Sequence, residues 1–171
     1  MNNLVDYIRS VPDFPKPGID FKDITTLLQD GAAFRQSVET FVDRYRDARL
    51  DAIVAAEARG FIFGGALAYE LGIGFIPVRK KGKLPAETIS ATYDLEYGTD
   101  TIEIHRDALK TGDRVVIFDD LLATGGTIGA VTELVNKLGA EIHEIAFLIE
   151  LSFLNGREKL SEYPVYSVVQ F

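Results

Sequence analysis

The chain has 171 residues, 47% of them hydrophobic and 26% charged, a composition that is typical of one folded globular domain and excludes an intrinsically disordered chain. It contains no cysteine, which excludes disulfides, thiolate metal sites and a cysteine nucleophile. The net charge of −8 disfavours nucleic-acid binding, and neither a signal peptide nor a membrane span is recognisable, so we expect a cytoplasmic protein with no membrane partner.

The N-terminal thirty residues predict a helix followed by a stiff, irregular loop. The apolar residues with helical spacing are Leu4, Val5, Tyr7, Ile8 and Val11, and Pro12 ends the pattern. Residues 12–24 contain three prolines and a glycine, which disfavour regular structure. Such a loop could present Phe21 to a flat ligand, but composition alone favours Phe14 and Phe21 as plugs of the core.

A strand between two helices is predicted next. Asp30 is available to cap a helix whose apolar positions are Phe34, Val38, Phe41, Val42 and Tyr45. Asp51–Ala56 has the pattern of a buried strand, and a second helix is predicted over Phe61–Leu71, closed by Gly72. Between them, Arg59 could bind pyrophosphate oxygens through its planar guanidinium, although the segment alone favours a surface ion pair between Glu57 and Arg59.

A basic strip follows the predicted strand Gly74–Val78. Four of residues 79–85 are Lys or Arg, which usually indicates a solvated face. In an acidic protein, however, such a strip can also attract a highly charged substrate. Thr88–Leu95 and Thr101–His105 then alternate apolar and polar residues around 97–100, which predicts a hairpin; its simplest interpretation is a solvent-exposed ribbon.

The segment from Val115 to Thr127 predicts a strand and a ligand-binding loop in succession. Val115–Phe118 favour a strand buried on both faces, ended by Asp119 and Asp120. The loop that follows consists of Ala123, Thr124, Gly125, Gly126 and Thr127, and leads into a helix over 128–138. Free N–H groups at a helix start suit phosphate, and the carboxylates suit ribose hydroxyls. The alternative is that Asp119 caps the helix and the glycines only turn the chain.

The end of the chain predicts strands over Glu141–Leu148 and Val165–Val169, with a turn into a short helix at 155–160. Strands that alternate with helices indicate an α/β fold with a mostly parallel central sheet flanked by helices and with binding loops at the carboxyl ends of its strands. His105 and His143 lack metal-ligand spacing, so we interpret both as structural and expect no metal ligands in the protein.

The segment around Asp119 resembles the phosphoribosyl pyrophosphate motif of type I phosphoribosyltransferases, and Leu121-Leu122 is similar to the branch of that family that uses adenine. Residues 57–61 resemble the family's pyrophosphate loop, which often has a strained or cis peptide bond at Glu57–Ala58. Residues 17–24 are similar to the N-terminal hood that binds the base, and residues 95–98 resemble a flexible lid. The resemblance implies one domain over 1–171, with a hood over 1–30 and a flexible basic loop and hairpin lid over 79–105.

The resemblance also implies a role for each of these positions. The base would be bound by the backbone of Ile19, the ring of Phe21, Lys22, which stands where some relatives carry arginine, and Leu121. The phosphoribosyl group would be bound by Asp119, Asp120, Ala123, Thr124, Gly125, Gly126 and Thr127. The pyrophosphate would be bound by Glu57, Ala58, Arg59, Arg79 and Lys83. The catalytic residues would be Arg59, Asp119, Asp120 and Glu96, with Glu96 the proton partner of the base and Tyr97 part of the lid.

The reaction implied is transfer of ribose 5-phosphate from phosphoribosyl pyrophosphate to N9 of adenine, giving AMP and pyrophosphate in purine salvage. Mg²⁺ would be held mainly by substrate oxygens and water, and a homodimer would let Arg79 reach the neighbouring subunit's site. Two alternatives remain: a non-catalytic regulator of the same fold that binds nucleic acid, which the net charge disfavours, and a transferase for xanthine, hypoxanthine or guanine.

Overall fold

The computed structural model describes residues 3–95 and 97–171, which form a two-stranded hairpin and a seven-stranded sheet with helices. The strands are β1 Arg9–Val11, β2 Phe21–Asp23, β3 Ala52–Ala56, β4 Gly74–Lys80, β5 Thr88–Leu95, β6 Gly98–His105, β7 Arg114–Leu122, β8 Glu141–Glu150 and β9 Val165–Gln170. The α-helices are α1 Thr25–Gln29, α2 Gly31–Tyr45, α3 Arg59–Leu71 and α4 Gly126–Lys137, and short 3₁₀ helices lie at Leu4–Tyr7, Ser152–Leu154 and Gly156–Leu160.

The large sheet has the strand order β5-β6-β4-β3-β7-β8-β9. The five neighbouring strands β4, β3, β7, β8 and β9 are parallel, and the β5–β6 hairpin adds an antiparallel edge next to β4. This confirms the predicted fold class. Because β3 and β7 are parallel neighbours, the loops that follow them emerge side by side at the carboxyl edge of the sheet.

Each face of the sheet buries its own apolar core. On one face, α4 packs against residues such as Val54 and Ile117, and on the other, α2 and α3 pack against Ile53 and Phe118. Phe118 lies edge-to-face with Phe41, the ring centroids 5.0 Å apart. Burial of each such side chain stabilises the fold by about 1.5–3 kcal/mol. In the described part of the chain, no helix is long and apolar enough to cross a membrane.

The predicted ends of α2 and α3 follow from local chemistry. The carboxylate of Asp30 accepts the N–H groups of Ala32 and Ala33 at 3.0 and 2.9 Å, which confirms its capping role. Gly72 ends α3 with a φ of 67°, a left-handed conformation that favours glycine. Asp30 thus fixes the start of α2, and Gly72 fixes the end of α3, from which the chain enters β4.

The N-terminal prediction was wrong in part. Helix extends only over Leu4–Tyr7, and Arg9–Val11 instead pairs antiparallel with Phe21–Asp23, within a loop predicted to be irregular. Arg9 and Asp23 form an ion pair at 2.6 Å across this hairpin, so tertiary pairing overrides the local helical spacing. Helix α1 was not predicted, because five residues are too few for a periodic pattern.

Several strand boundaries also differ from the prediction. The aspartates do not end β7, which continues through Leu122 because Leu121 and Leu122 remain paired with β8. Strand β8 extends to Glu150 rather than Leu148. Strand β6 begins at Gly98 rather than Thr101, so the hairpin turn is shorter than predicted. The carboxylates at 119 and 120 are therefore held by a rigid strand and not by a loop.

Candidate active site

The loops after β3 and β7 line one cleft of about 320 Å³. Its lining residues are Ala56, Glu57, Ala58, Arg59, Val78, Lys80, Tyr93, Ile102, Asp119, Asp120, Leu121 and Thr127. A smaller cavity of about 80 Å³, lined by Asp119 and residues 121–128, adjoins it. The structure thus brings Glu57, Ala58 and Arg59 of the predicted pyrophosphate residues together with the residues predicted to bind phosphoribose. The other two, Arg79 and Lys83, line neither cavity. A groove of about 400 Å³ between α2 and α3 contains none of the predicted site residues.

Arg59, the first residue of α3, connects that helix to strand β7. Its Nε lies 2.9 Å from Oδ2 of Asp120, whose side chain is only 6% exposed. The alignment is too poor for a hydrogen bond, so this buried oxygen has no hydrogen-bond donor among the described residues. The surface ion pair with Glu57 that the segment alone suggested is therefore not the contact that Arg59 makes. A buried acceptor without a donor is suited to a ligand hydroxyl.

The pKa values of the two adjacent carboxylates, Asp119 and Asp120, are both raised. Burial raises the pKa of Asp119 well above its usual range, and the charge of Asp120 raises it further. Burial also raises the pKa of Asp120, although the neighbouring Arg59 guanidinium opposes that shift. The backbone N–H of Asp120 donates to Oδ1 of Asp119 at 2.9 Å. The pair therefore holds protons at a higher pH than exposed carboxylates do.

Glu57 is held by the beginning of the basic strip. Its Oε2 accepts from Nε and Nη2 of Arg79, both at 3.1 Å, and its Oε1 accepts the Lys80 N–H at 2.5 Å. The Glu57–Ala58 peptide bond is cis, as the family resemblance implied. Lys83 is exposed, and its C=O accepts a 3.4 Å hydrogen bond from Arg79. In this single chain, Arg79 therefore contacts its own loop.

The predicted phosphate loop is a backbone cradle. Gly125 precedes α4 with a φ of 81°, and a Cβ there would lie 2.7 Å from the C=O of Gly156. Both the conformation and the close contact require glycine at this position. No side chain caps α4, so the alternative in which Asp119 serves as its cap is wrong. The loop amides at the start of this twelve-residue helix can face an anion.

The hood places aromatic rings outside the core. Phe14 is 50% exposed and lies edge-to-face with Phe21 at 5.3 Å, so the alternative that both rings plug the core is wrong. Phe21 lies 5.3 Å from the Arg59 guanidinium and lines a cavity of about 320 Å³ with Val11, Phe14 and Asp23. The ring is thus available for stacking beside the pyrophosphate loop.

The other predicted base contacts have different surroundings. The N–H of Ile19 donates to Lys16 and its C=O accepts from Phe14, so a base edge would have to use the second lone pair of that carbonyl. Lys22 donates to Ser10 and Asp20 and lies 4.3 Å from the ring centroid of the C-terminal Phe171. Leu121 lines both the cleft and the cradle.

The lid meets the hood at its tip. Tyr97 is 84% exposed, and Lys16 Nζ lies 5.1 Å from its ring centroid. Glu96, the predicted proton partner of the base, lies outside the described residues. Sequence reasoning missed Tyr93 and Lys80 as lining residues of the cleft, although the alternation of β5 could have placed Tyr93. The two histidines take no part: His105 accepts the Ala86 N–H, and His143 contacts Arg114.

Comparison with known proteins identifies this arrangement. Residues 24–170 match the family model described as phosphoribosyl transferase domain. The adenine phosphoribosyltransferase of Roseiflexus sp. (strain RS-1) is 59% identical to the chain, over 99% of the chain and 98% of the relative. That of Trichlorobacter lovleyi is 57% identical over the full length of both.

Solved structures agree. A crystal structure of adenine phosphoribosyltransferase from Thermoanaerobacter pseudethanolicus has a TM-score of 0.95 at 56% identity, covering 98% of each chain. The Saccharomyces cerevisiae enzyme, complexed with adenine and an imino-altritol bisphosphate, has a TM-score of 0.92 at 42% identity, covering 96% of this chain and 95% of that one. The chain therefore belongs to the phosphoribosyl transferase family, in its adenine phosphoribosyltransferase branch.

Proposed function

We propose that this protein is an adenine phosphoribosyltransferase, which transfers ribose 5-phosphate from phosphoribosyl pyrophosphate to N9 of adenine in purine salvage. The observation that carries the proposal is the position of Arg59, 2.9 Å from Asp120 and 5.3 Å from the ring of Phe21. Arg59 thus links a carboxylate suited to the ribose with a ring suited to the base, and its own charge suits the pyrophosphate. Family membership and the adenine complex of the yeast relative support adenine as the base.

The donor would bind across both loops. The amides of residues 123–127 suit the 5-phosphate, because the adjoining cavity is small and a helix starts there. The ribose hydroxyls would donate to Asp119 and to Oδ2 of Asp120, which accepts no hydrogen bond from the described residues. Arg59 and Lys80 supply positive charge along the cleft for the pyrophosphate.

The reaction needs no protein nucleophile, because N9 of adenine attacks the anomeric carbon while the bond to pyrophosphate breaks. Positive charge then develops on the ribose beside Asp119 and Asp120, whose carboxylates stabilise it when they are ionised. Negative charge develops on the pyrophosphate beside Arg59. Glu96 remains the predicted proton partner of the base. Orientation of two reactants in one cleft contributes up to about 7–11 kcal/mol in favourable cases.

Mg²⁺ fits this site as an ion held by the substrate. Among residues 3–95 and 97–171, no group of three or more His, Asp or Glu could hold a metal ion. Asp119 and Asp120 would instead hold it through water and substrate oxygens, in keeping with the preference of Mg²⁺ for retaining waters. When bound, the ion would neutralise charge on the departing pyrophosphate.

We further propose a cytoplasmic homodimer in which Arg79 reaches the partner's pyrophosphate. Arg79 now pairs with Glu57, but its side chain is 36% exposed. Exchange of this ion pair for a pyrophosphate contact would keep the guanidinium paired with an anion.

The test is a mixing assay with phosphoribosyl pyrophosphate and Mg²⁺ in which adenine, hypoxanthine, guanine and xanthine are offered separately. Selective AMP formation from adenine, with release of pyrophosphate, is the expected result. Turnover of an oxopurine instead would overturn the choice of base while keeping the assignment of the donor site. Donor binding without turnover of any base would indicate the regulator class.

A further inference from the structure

The cradle rests on a second segment that carries no predicted function. This backing segment is the 3₁₀ helix Gly156–Leu160. A Cβ at Gly125 would lie 2.7 Å from the Gly156 C=O, and a Cβ at Gly156 would collide with the C=O of Ala123. The two backbones therefore pack directly against each other, with no room for a side chain at either glycine. A shift of the backing segment by a few tenths of an ångström must move the cradle.

Arg157 fixes the backing segment to the sheet. Its Nε and Nη2 each donate at 2.7 Å to one oxygen of Glu150, and its Nη1 donates at 2.8 Å to the C=O of Val165. Ser167 donates to the same carboxylate at 2.5 Å. Glu150 is 5% exposed at the end of β8, and Arg157 lowers its pKa, so the pair stays ionised at neutral pH. Such a bidentate pair fixes geometry as well as charge.

We propose that Arg157 is a positioning residue for the donor site: by tying the backing segment to β8 and β9, it sets the position of the cradle amides and hence the affinity for the 5-phosphate. The guanidinium faces Glu150, Val165 and Ser167, so it acts through the backbone of Gly156 and Gly125 rather than on the ligand. The proposal rests on the proposed function, in which the cradle binds the 5-phosphate.

Strand β8 contains a matched pair at its other end. Arg44 donates to both oxygens of Glu144 at 2.6 Å, and Glu144 is 6% exposed. The two arginine side chains are 41% and 42% exposed. The Arg44 pair touches neither loop of the cleft, since its further contacts are with Tyr45 and Tyr166. Removal of the Arg44–Glu144 pair should therefore affect stability in the same way but leave the cleft unchanged.

The experiment compares Arg157→Gln with Arg44→Gln in the full chain. Dissociation constants for ribose 5-phosphate and AMP, the KM for phosphoribosyl pyrophosphate, the KM for adenine and the melting midpoint are measured for each. For Arg157→Gln we expect about tenfold weaker binding of both 5-phosphate ligands and about a tenfold higher donor KM, with an unchanged adenine KM. Arg44→Gln should lower the melting midpoint by a similar amount while leaving all four binding parameters unchanged.

Two milder variants extend the test if Arg157→Gln folds poorly. Ser167→Ala removes one donor from Glu150 and should raise the donor KM by a smaller factor, and Arg157→Lys should fall between Arg157→Gln and the wild type. Equal donor KM values in the Arg157 and Arg44 variants would overturn the proposal. Failure of the wild type to bind ribose 5-phosphate would instead overturn the proposed function of the cradle.

Discussion

The two strand-to-helix loops of the cleft have the same place in the fold but use opposite chemistry. The turn from β3 into α3 presents charged side chains: Arg59, the first residue of α3, faces Asp120, and Glu57 is held by Arg79. The loop from β7 to α4 presents backbone, with Gly125 at a φ of 81°. The function of the first loop thus depends on the charges of its side chains. The second is defined by how closely its backbone can pack, and the two should fail under different substitutions.

The largest effect should follow from adding one methyl group to the backbone loop. In Gly125→Ala, the Cβ would lie 2.7 Å from the Gly156 C=O in a conformation that costs roughly 1–2 kcal/mol for a non-glycine residue. Displacement of the cradle should raise the donor KM about 100-fold, as measured by initial rates at saturating adenine. Gly129→Ala is the control, because that glycine has no neighbour within 4 Å of the added Cβ. Equal donor KM values in the two variants would remove the cradle assignment.

A charge-preserving change should affect the side-chain loop less strongly. Arg59→Lys keeps the positive charge but loses the planar group that contacts both Asp120 and Phe21. We expect kcat/KM for the donor to fall about tenfold, which corresponds to one charged hydrogen bond of about 1.5 kcal/mol. Arg35→Lys, at an arginine that is 77% exposed, should change nothing. Wild-type kinetics in Arg59→Lys would mean that charge alone matters in this loop.

The side-chain loop and the cradle differ in how far sequence could predict them. The cradle is contiguous, so strand, loop and helix signals for residues 115–138 were enough to locate it. The packing of Gly156 against the cradle was not predictable, because Gly125 and Gly156 are separated in sequence by α4 and β8 and meet only in the folded protein. The same holds for Arg59, whose partner Asp120 lies on a neighbouring strand. Local patterns show the ligand-facing residues and leave out the contacts that fix them.

In the hood, composition predicted the loop but not its secondary structure. Its aromatic and proline content indicated a stiff loop, yet the three-residue strands β1 and β2 were not predicted, because their stability comes from pairing across nine intervening residues and from the Arg9–Asp23 ion pair. Lys22 and Ile19 were assigned by resemblance alone. Alternation along β2 puts Lys22 among Ser10, Asp20 and Phe171, surroundings that a motif cannot display.

The smallest expected effect concerns stability at Asp119, on the strand between the two parts of the cleft. Burial raises the pKa of Asp119 above its unfolded value, so its contribution to stability is complete below the unfolded pKa and is lost as pH rises through the folded-state pKa. Asp119→Asn removes that loss, and its amide oxygen can still accept the Asp120 N–H. The melting midpoint should therefore rise by roughly 2–4 °C at pH 8 and change little at pH 4. Turnover should fall in this variant. Asp120→Asn should gain less, because Arg59 already favours the ionised form of that carboxyl. A larger gain at pH 4 than at pH 8 would show that burial does not control this titration.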